Sequence, residues 1–353
     1  MKKRERILLT SFLLLAFWGF SGAYLSLGSQ AKDISNEHPV IAELVRPPSD
    51  TPVSYNQALS LLTMPDDTTA SIISLIQNAK KSVDLTIYTL SDKKIQSALV
   101  SAKNRGVAVR VLLNAGWEGV PTKKNQTTFD SLSKQGVSVK WSPDYFALMH
   151  QKTLIVDGTK ALIMTFNLDR AYYKTGRDFG ILNSDPTDIS AIIASFNSDW
   201  NGDNKVASDG KDLVWSPDSR LILVSLIESA KNSLDIYSLE MDEDIIEDAL
   251  SDASRRGVEV KVLMSMQTSW LTAFRALTAS GVEIRTFPEK APLFIHAKVI
   301  IADESRAFVG SENFSANSLD NNRELGIIFT KADIISSIMK TFKSDWASAT
   351  VFR

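Results

Sequence analysis

Residues 74–84, Ser-Leu-Ile-Gln-Asn-Ala-Lys-Lys-Ser-Val-Asp, return in residues 225–235 as Ser-Leu-Ile-Glu-Ser-Ala-Lys-Asn-Ser-Leu-Asp. Three later blocks recur in the same order: residues 104–112 in 255–263, residues 135–137 in 280–282, and residues 198–200 in 344–346. A repeat that keeps its order over this length indicates a duplicated architecture. We therefore expect two similar halves that pack about a pseudo-twofold axis.

Within each half, helical and strand patterns alternate. In the first half, apolar residues at helical spacing over 72–79 lead into a strand over 83–88, and a helix over 94–104 precedes a strand over 107–113. A third helix ends near Gly136, before a strand over 137–141. This alternation predicts an α/β fold in which each half is a mixed β-sheet flanked by helices.

The composition is that of a large globular protein with 353 residues, of which 44% are hydrophobic and 23% charged. The net charge of −2 does not indicate the strongly basic surface that is typical of proteins that bind nucleic acid or anionic membranes. Cysteine is absent, which excludes disulfide bonds, thiol nucleophiles and cysteine metal sites.

The N-terminus carries the features of an export segment. Basic residues at positions 2, 3, 4 and 6 precede an uncharged, Leu- and Phe-rich run from Ile7 to Gln30. Cleavage after Ala23 would make it a signal peptide of a secreted or periplasmic protein; uncleaved, the run is long enough to act as a membrane anchor. We divide the chain into this segment (1–30), a linker (31–52), a first half (53–206) and a second half (207–353).

A motif in the second half, His296-Ala297-Lys298, combines a histidine and a lysine two residues apart in an apolar segment, Phe294 to Val309. Such residues are rarely placed in buried strands unless they face an anion. Written as spacing, the motif is H-x-K-x4-D-x6-G-S-x-N, which continues through Asp303 and Ser311 to Asn313.

The first half contains the counterpart of this motif, 146 residues earlier. Of the three histidines in the chain, His150 and His296 occupy the same place in the two copies. The first copy comprises His150, Lys152, Asp157, Thr165 and Asn167, and it has Met164 where the second has Gly310. We expect the two copies to form one active site at the interface between the halves.

Two imidazoles, two ammonium groups and two carboxamides suit the transfer of a phosphodiester. The lysines and asparagines can hold the non-bridging oxygens, while one imidazole attacks phosphorus and the other protonates the leaving oxygen. The two imidazoles should therefore titrate as a coupled pair. This chemistry requires no metal or other cofactor, and we expect activity to survive a chelator.

The paired motifs resemble the phospholipase D superfamily over both halves, from about Thr63 to the C-terminus. The resemblance implies a phosphohistidine intermediate, with His150 as the nucleophile and His296 as the general acid, although the better-preserved second motif favours the reverse. It also implies that Lys152, Lys298, Asn167, Asn313, Thr165 and Ser311 surround the phosphate. The bulk of Met164 predicts a narrower pocket in the first half, where specificity would be decided.

Four acidic residues complete the predicted site. Asp178 and Glu324 recur in Arg177-Asp178-Phe179-Gly180 and Arg323-Glu324-Leu325-Gly326, and the family uses an acid there to orient a histidine. The alternative for each is an ion pair with the neighbouring arginine. Asp157 and Asp303 stand at strand ends, where a carboxylate more often holds a turn than contacts substrate.

The substrate class rests on weaker signals. Apolar segments precede both histidines, and Trp117, Trp270 and Phe274 follow the second strand of each half, which suggests the mouth of a site for lipid. We therefore predict an exported phospholipase D-like phosphodiesterase or transphosphatidylase that acts on a phospholipid at a membrane surface, with no obligate protein partner. The alternatives are an exported nuclease with the same chemistry, since aromatic side chains also stack on bases, and a catalytically weak phospholipid- or nucleic-acid-binding protein.

Overall fold

The computed structural model describes residues 59–67, 69–203, 210–289 and 293–353. The predicted export segment and the linker lie outside these residues, as does the predicted boundary between the halves at residues 206 and 207. None of the helices in the described ranges combines the length and the apolar character that crossing a membrane requires.

The described part of the first half contains seven strands and four α-helices. In chain order these are β1 (Leu59–Met64), α1 (Ala70–Asn78), β2 (Ser82–Ile87), α2 (Lys93–Asn104), β3 (Ala108–Leu113), α3 (Lys123–Lys134), β4 (Ser138–Trp141), β5 (Thr153–Val156), β6 (Lys160–Met164), β7 (Gly176–Asn183) and α4 (Pro186–Asn201). The strand order is β1-β7-β6-β5-β2-β3-β4, in which β2, β3 and β4 are parallel and the other neighbours antiparallel.

The second half repeats this arrangement. Its elements are β8 (Leu213–Ser216), α5 (Ser219–Ser229), β9 (Ser233–Tyr237), β10 (Met241–Asp242), α6 (Asp244–Arg255), β11 (Glu259–Ser265), α7 (Leu271–Ala279), β12 (Glu283–Phe287), β13 (Phe294–Ile295), β14 (Val299–Ala302), β15 (Arg306–Gly310), β16 (Phe314–Ser315), α8 (Ala316–Asp320), β17 (Glu324–Phe329), α9 (Ala332–Ser348) and β18 (Thr350–Val351). The strand order β18-β12-β11-β9-β14-β15-β17-β8 matches that of the first half element by element, with β18 added at the edge. The predicted fold class is confirmed.

Local sequence signals set several of these boundaries. Asp92 and Thr122 accept hydrogen bonds from backbone N–H groups in the first turns of α2 and α3, and Asp185 caps α4 ahead of Pro186. Gly106 and Gly257 follow equivalent helices with φ of 91°, a conformation that favours glycine and ends each helix before the next strand.

Three hydrophobic cores hold the structure together. The half 1 core, which includes Val83 and Leu85, and the half 2 core, which includes Ile236, each lie within one half. The central core instead combines residues from both halves, among them Phe179 of β7 and Val299 of β14. Because both faces of each sheet are covered, strands such as β5, β14 and β17 consist entirely of buried residues.

Candidate active site

The two motifs enter the interface on short segments that pair with the other half. Met149 forms a parallel bridge with Arg323, and the backbone N–H groups of His150 and Gln151 donate to the Arg323 carbonyl oxygen at 3.0 and 2.8 Å. In the second half, β13 pairs in parallel with the start of β7, and His296 N–H donates to the Arg177 carbonyl oxygen at 3.2 Å. The backbone of each histidine is therefore held by the half to which it does not belong.

The predicted orienting acids follow the same crossed arrangement. Nδ1 of His150 lies 2.8 Å from Oε2 of Glu324, and Nδ1 of His296 lies 2.8 Å from Oδ1 of Asp178. Since an ionised carboxylate only accepts hydrogen bonds, Nδ1 carries the proton in each pair and Nε2 is the ring nitrogen left to react. Each acid therefore orients the histidine of the opposite half.

Glu324 itself is held by a group of hydrogen-bond donors. Ser318 Oγ donates to its Oε1 at 2.7 Å, and Asn322 Nδ2 donates to the same oxygen at 3.1 Å. Burial by itself would raise the pKa of Glu324, but His150, Lys152 and Ser311 outweigh burial and lower that pKa below its usual value. Glu324 therefore stays ionised opposite His150.

The hydroxyl groups of Thr165 and Ser311 are fully buried and face the acids. Thr165 Oγ1 donates to Asp178 at 2.6 Å and accepts from Phe179 N–H at 2.9 Å. Ser311 Oγ accepts from Leu325 N–H at 3.1 Å and interacts with Glu324. Both hydroxyls thus lie beside the acids behind the histidines, and their contact with phosphate stays a prediction.

The two lysines are buried beside the histidines. Lys298 Nζ donates to the His296 carbonyl oxygen at 2.5 Å and lies 3.5 Å from both ring nitrogens of that histidine, and Lys152 Nζ donates to the His150 carbonyl oxygen. Burial lowers the pKa of Lys152 to about 7 and that of Lys298 to about 8, against the opposing effect of nearby carboxylates. A bound anion would favour the charged form of both lysines.

Burial favours the neutral form of both imidazoles. Burial lowers the pKa of His150 to about 4 and also lowers the pKa of His296, although Glu324 and Asp178 act in the opposite direction. A neutral imidazole with its proton on Nδ1 has a lone pair on Nε2, which is the form a nucleophile requires.

The side-chain oxygens of the two motif asparagines have no hydrogen-bond partner among the residues that the structure describes. Oδ1 of Asn167 and Oδ1 of Asn313 are both buried without a hydrogen-bond partner, and Asn313 Nδ2 donates to Glu240 Oε1 at 2.9 Å. Their role as phosphate ligands remains a prediction. Among the described residues, no three His, Asp or Glu side chains are grouped so that they could hold a metal ion.

The arginines next to the orienting acids form ion pairs elsewhere. Arg323 forms two hydrogen bonds with Asp199, at 2.8 and 2.9 Å, and Arg177 forms two with Asp345, at 2.6 and 3.0 Å. Both pairs are buried and join one half to the other. The alternative in which Asp178 and Glu324 pair with their neighbouring arginines is therefore wrong.

Asp157 and Asp303 hold turns at a distance from the histidines. The Asp157 carboxylate accepts hydrogen bonds from the N–H groups of residues 80, 81 and 82, and Asp303 accepts from the N–H groups of residues 231, 232 and 233. These bonds lower the pKa of both carboxyls despite partial burial. Asp157 thus connects the turn after β5 to the start of β2, and Asp303 connects the turn after β14 to the start of β9.

Met164 does not narrow the pocket, contrary to the sequence prediction. Its side chain is fully buried in the half 1 core, because it lies on the face of β6 opposite to Ile163, which packs in the central core. At the equivalent place in the second half, a Cβ on Gly310 would come within 2.2 Å of Glu312 Oε2. The motif glycine therefore makes room for the Glu312 side chain.

The predicted aromatic mouth is only partly present. Trp117 is exposed, but Trp270 is half-buried against the half 2 core and Phe274 is fully buried within it. Phe274 belongs to the apolar stripe of α7, and a single sequence does not distinguish that stripe from a substrate contact.

Two residues that the motifs do not include also lie at the site. The ring of Tyr88 packs edge-on against His150, with centroids 4.8 Å apart, and the ammonium group of Lys152 lies 5.4 Å from the centre of the same ring. Glu240 contacts Asn313, as described above. Tyr88 follows the end of β2, and Glu240 follows the end of β9, which is the equivalent strand of the second half. A polar side chain just after these strands is the sequence signal that could have identified both residues.

Comparison with known proteins agrees with this architecture. A family model described as "Cardiolipin synthase, PLD-like domain" matches residues 72–200 and 223–346. Cardiolipin synthase 2 of Bacillus cereus is 24% identical over 343 residues; the match covers 83% of this chain, and the chain spans 65% of the length of that relative.

Solved structures show the same fold at low sequence identity. Phosphatidylserine synthase from Haemophilus influenzae matches with a TM-score of 0.63 at 12% identity and covers 84% of this chain and 88% of that one. Polyphosphate kinase from Porphyromonas gingivalis matches with a TM-score of 0.66 at 15% identity, over 82% of this chain and 47% of that one.

The family model covers both halves and includes both histidine motifs. On that evidence the chain belongs to the phospholipase D-like family of cardiolipin synthase.

Proposed function

We propose that this protein is a phospholipid transphosphatidylase or phosphodiesterase of the phospholipase D type. The observation that carries the proposal is the crossed pair of histidine–carboxylate contacts, which joins the two motifs into one site with two reactive Nε2 atoms. Support for a phospholipid substrate comes from the cardiolipin synthases to which the chain is similar.

The proposed reaction has two steps. Nε2 of His150 attacks phosphorus, the bond from phosphorus to the headgroup oxygen breaks, and His296 gives its Nε2 proton to the departing alcohol. His296 then takes a proton from water or a second alcohol, whose oxygen displaces His150 and releases the product. The negative charge of the substrate raises the pKa of His296, which allows that histidine to carry the proton.

Apolar surface beside the site supports a lipid substrate. A cleft of about 320 Å³ is lined by Trp117, Phe146 and Leu148, in the segment that leads to His150. In a second group of aromatic side chains, the ring centroids of Tyr172 and Phe294 are 6.3 Å apart. The ring centroids of Phe294 and His296 are also 6.3 Å apart. Trp117 and Tyr172 are each more than half exposed. We propose that these side chains face the membrane surface that holds the substrate.

The purified full chain, incubated with phosphatidylglycerol vesicles and separately with single-stranded DNA, tests the proposal. We expect release or exchange of the lipid headgroup, together with an acid-labile phosphohistidine in the quenched enzyme. His150→Ala and His296→Ala should each reduce turnover by about 10³-fold or more, because the two histidines act as one unit. Near-full activity in either variant would exclude the shared site, and cleavage of DNA alone would favour the nuclease.

We further propose that the segment over residues 1–30 exports the chain, either as a cleaved signal or as an anchor. The sequence pattern of basic residues followed by an uncharged run supports this. Fusion of residues 1–58 to alkaline phosphatase, an enzyme active only after export, should give phosphatase activity in bacterial cells. Phosphatase activity no higher than that of a leaderless fusion would overturn this proposal.

A further inference from the structure

Glu240 places a carboxylate in a site that is expected to bind an anion. It stands between β9 and β10, and its Oε1 accepts a hydrogen bond from Asn313 Nδ2 at 2.9 Å. Glu240 is partly buried, and Asn313 is the side-chain donor that its carboxylate meets. Its charge acts on Lys298, whose pKa it raises against the larger effect of burial, and on Tyr88 in the first half. Glu240 therefore lies among side chains from both halves.

Glu240 departs from the pairing of like residues seen for the histidines, lysines, orienting acids, hydroxyls and asparagines. Leu90 bridges Leu168 in the first half, and Met241 pairs with Phe314 at the same place in the second. The residue before each of these is Thr89 in the first half and Glu240 in the second. Histidines, lysines, acids, hydroxyls and asparagines all recur as similar residues, whereas this position changes from a neutral hydroxyl to a carboxylate.

A carboxylate here is unfavourable for binding phosphate alone. It repels the phosphate anion and partly cancels the charge of Lys298, and a neutral acceptor could hold Asn313 equally well. A carboxylate gives a net advantage where the ligand also brings a hydrogen-bond donor to it, since hydrogen bonds to an ionised acceptor are the strong ones.

The position of Glu240 identifies which part of the ligand would meet it. Its partners, Asn313 and Lys298, belong to the second motif, and Lys298 Nζ is 3.5 Å from both ring nitrogens of His296. In the proposed reaction His296 exchanges a proton with the departing or incoming alcohol. Glu240 is therefore on the side of the site where the headgroup leaves and the acceptor enters.

We propose that Glu240 recognises the polar headgroup of the phospholipid by accepting a hydrogen bond from its hydroxyl or ammonium group, and thereby selects donor-bearing headgroups and acceptors. This inference rests on the proposed function. Glycerol hydroxyls and an ethanolamine ammonium share the required chemistry, and the effect of removing only the charge of Glu240 distinguishes them.

The test compares three short-chain lipids: phosphatidylglycerol, phosphatidylethanolamine and phosphatidylmethanol, whose headgroup has no donor. In Glu240→Ala, the ratio of kcat/KM for the better donor-bearing lipid over phosphatidylmethanol should fall by about tenfold or more. Glu240→Gln should keep most of that ratio if the donor is a hydroxyl and lose it if the donor is an ammonium group. Asp244→Asn, which removes an exposed negative charge four residues away, is the matched control and should leave the ratio unchanged.

An unchanged ratio in Glu240→Ala, with turnover retained, overturns the inference. If that variant has no turnover, calorimetric binding of glycerophosphoglycerol, glycerophosphoethanolamine and glycerophosphomethanol to it and to the unaltered chain measures the same preference without catalysis. Failure of the unaltered chain to act on any lipid would instead count against the proposed function, and the binding comparison would still decide the role of Glu240.

Discussion

Glu312, the variable residue of the second motif, is fully buried, and among the described residues no side chain forms a hydrogen bond with its carboxyl oxygens. Its nearest donors are the backbone N–H groups of Ser311 and of Glu312 itself. Burial and the neighbouring Glu324 raise its pKa well above the usual value, against the effect of Lys152. The equivalent residue of the first motif is Phe166, which packs in the half 1 core. At this position the second half therefore carries a protonated acid where the first half has an apolar side chain.

Replacing Glu312 by leucine should stabilise the protein at high pH, because burial holds the carboxyl protonated in the folded chain while the unfolded chain is free to ionise it. The raised pKa of Glu312 means that its contribution to stability is fully present below the unfolded pKa of about 4.3 and is lost as the pH rises. The gain in the free energy of unfolding should therefore be small at pH 4.5 and reach about 1–3 kcal/mol at pH 8. Urea unfolding at the two pH values measures this.

Glu283→Leu, at an exposed position on β12, is the control for a simple loss of negative charge. It should show no comparable gain at either pH. If Glu312→Leu were less stable than the unaltered chain at pH 8, the carboxyl would have a stabilising partner that the structure does not show.

The buried lysines predict a pH dependence of substrate binding. Since the pKa is about 7 for Lys152 and about 8 for Lys298 in the empty site, both are charged at pH 6 and largely neutral at pH 9. The affinity for a phosphodiester anion, whose own charge is constant over this range, should therefore fall by about tenfold or more as the pH rises. Calorimetric binding of a short-chain phosphatidylglycerol to His150→Asn measures this without turnover.

The same titration with Lys298→Met added should give weaker binding, whose remaining fall with pH follows the titration of Lys152 alone. Affinity in the His150→Asn protein that stayed constant from pH 6 to pH 9 would mean that the lysines remain fully charged in the empty site. The pH dependence would then have to be sought in other groups.

The sequence identified the residues that carry the chemistry better than it identified their contacts. The histidines, the lysines and the two orienting acids were predicted from the repeat, and the structure brings them together. The place of Met164 was not predicted, because a motif position does not reveal which face of a strand its side chain occupies. The period of two along β6 places Ile163 toward the other half and Met164 away from it.

At the level of strands and helices, the crossed pairing between the halves is the feature that builds the site. β13 pairs in parallel with the start of β7. Arg323, just before β17, forms a backbone bridge with Met149 in the segment that leads to His150. Sequence spacing cannot predict this, because each acid stands at the same distance from the histidine of its own motif. Only the way the two sheets meet decides that Glu324 reaches His150.

Buried arginine–aspartate pairs hold this crossing in place. The side chains of Arg323 and Asp199 are both only 2% exposed, so removal of one partner leaves an uncompensated buried charge. We expect Asp199→Asn to lower the free energy of unfolding by about 3–5 kcal/mol. It should also lower turnover, because the Arg323 carbonyl holds the backbone of His150. Chemical denaturation and the lipid assay measure the two effects.

The exposed pair Arg255 and Asp252, 63% and 60% exposed, is the matched control. Asp252→Asn should change stability by no more than about 0.5 kcal/mol, since exposed ion pairs contribute little. The double replacement Arg323→Met with Asp199→Leu should recover much of the loss, because neither charge is then left alone. An equal effect of Asp199→Asn and Asp252→Asn would exclude the buried pair as a tie between the halves.

In the molecule as a whole, the two halves depend on a shared interior. The central core draws its buried side chains from both sheets, so separating the halves would expose a large apolar surface to water. The duplicated sequence predicted two similar units, and the strand orders confirm them. The sequence did not reveal the central core. A strand that is buried on both faces has a continuous apolar sequence, and that pattern is the same whichever element covers the strand.

This shared interior predicts that the described halves unfold as one cooperative unit. Leu85 in the half 1 core and Ile236 in the half 2 core are repeat counterparts, and both are fully buried. Replacing either by alanine should cost about 2–5 kcal/mol. Because the central core links the halves, each variant should lower the midpoint of the same single transition. Differential scanning calorimetry should then give a calorimetric enthalpy equal to the van't Hoff enthalpy. Two separate transitions, with Leu85→Ala shifting one and Ile236→Ala the other, would show instead that each half is stable alone and that the site forms by docking of independent units.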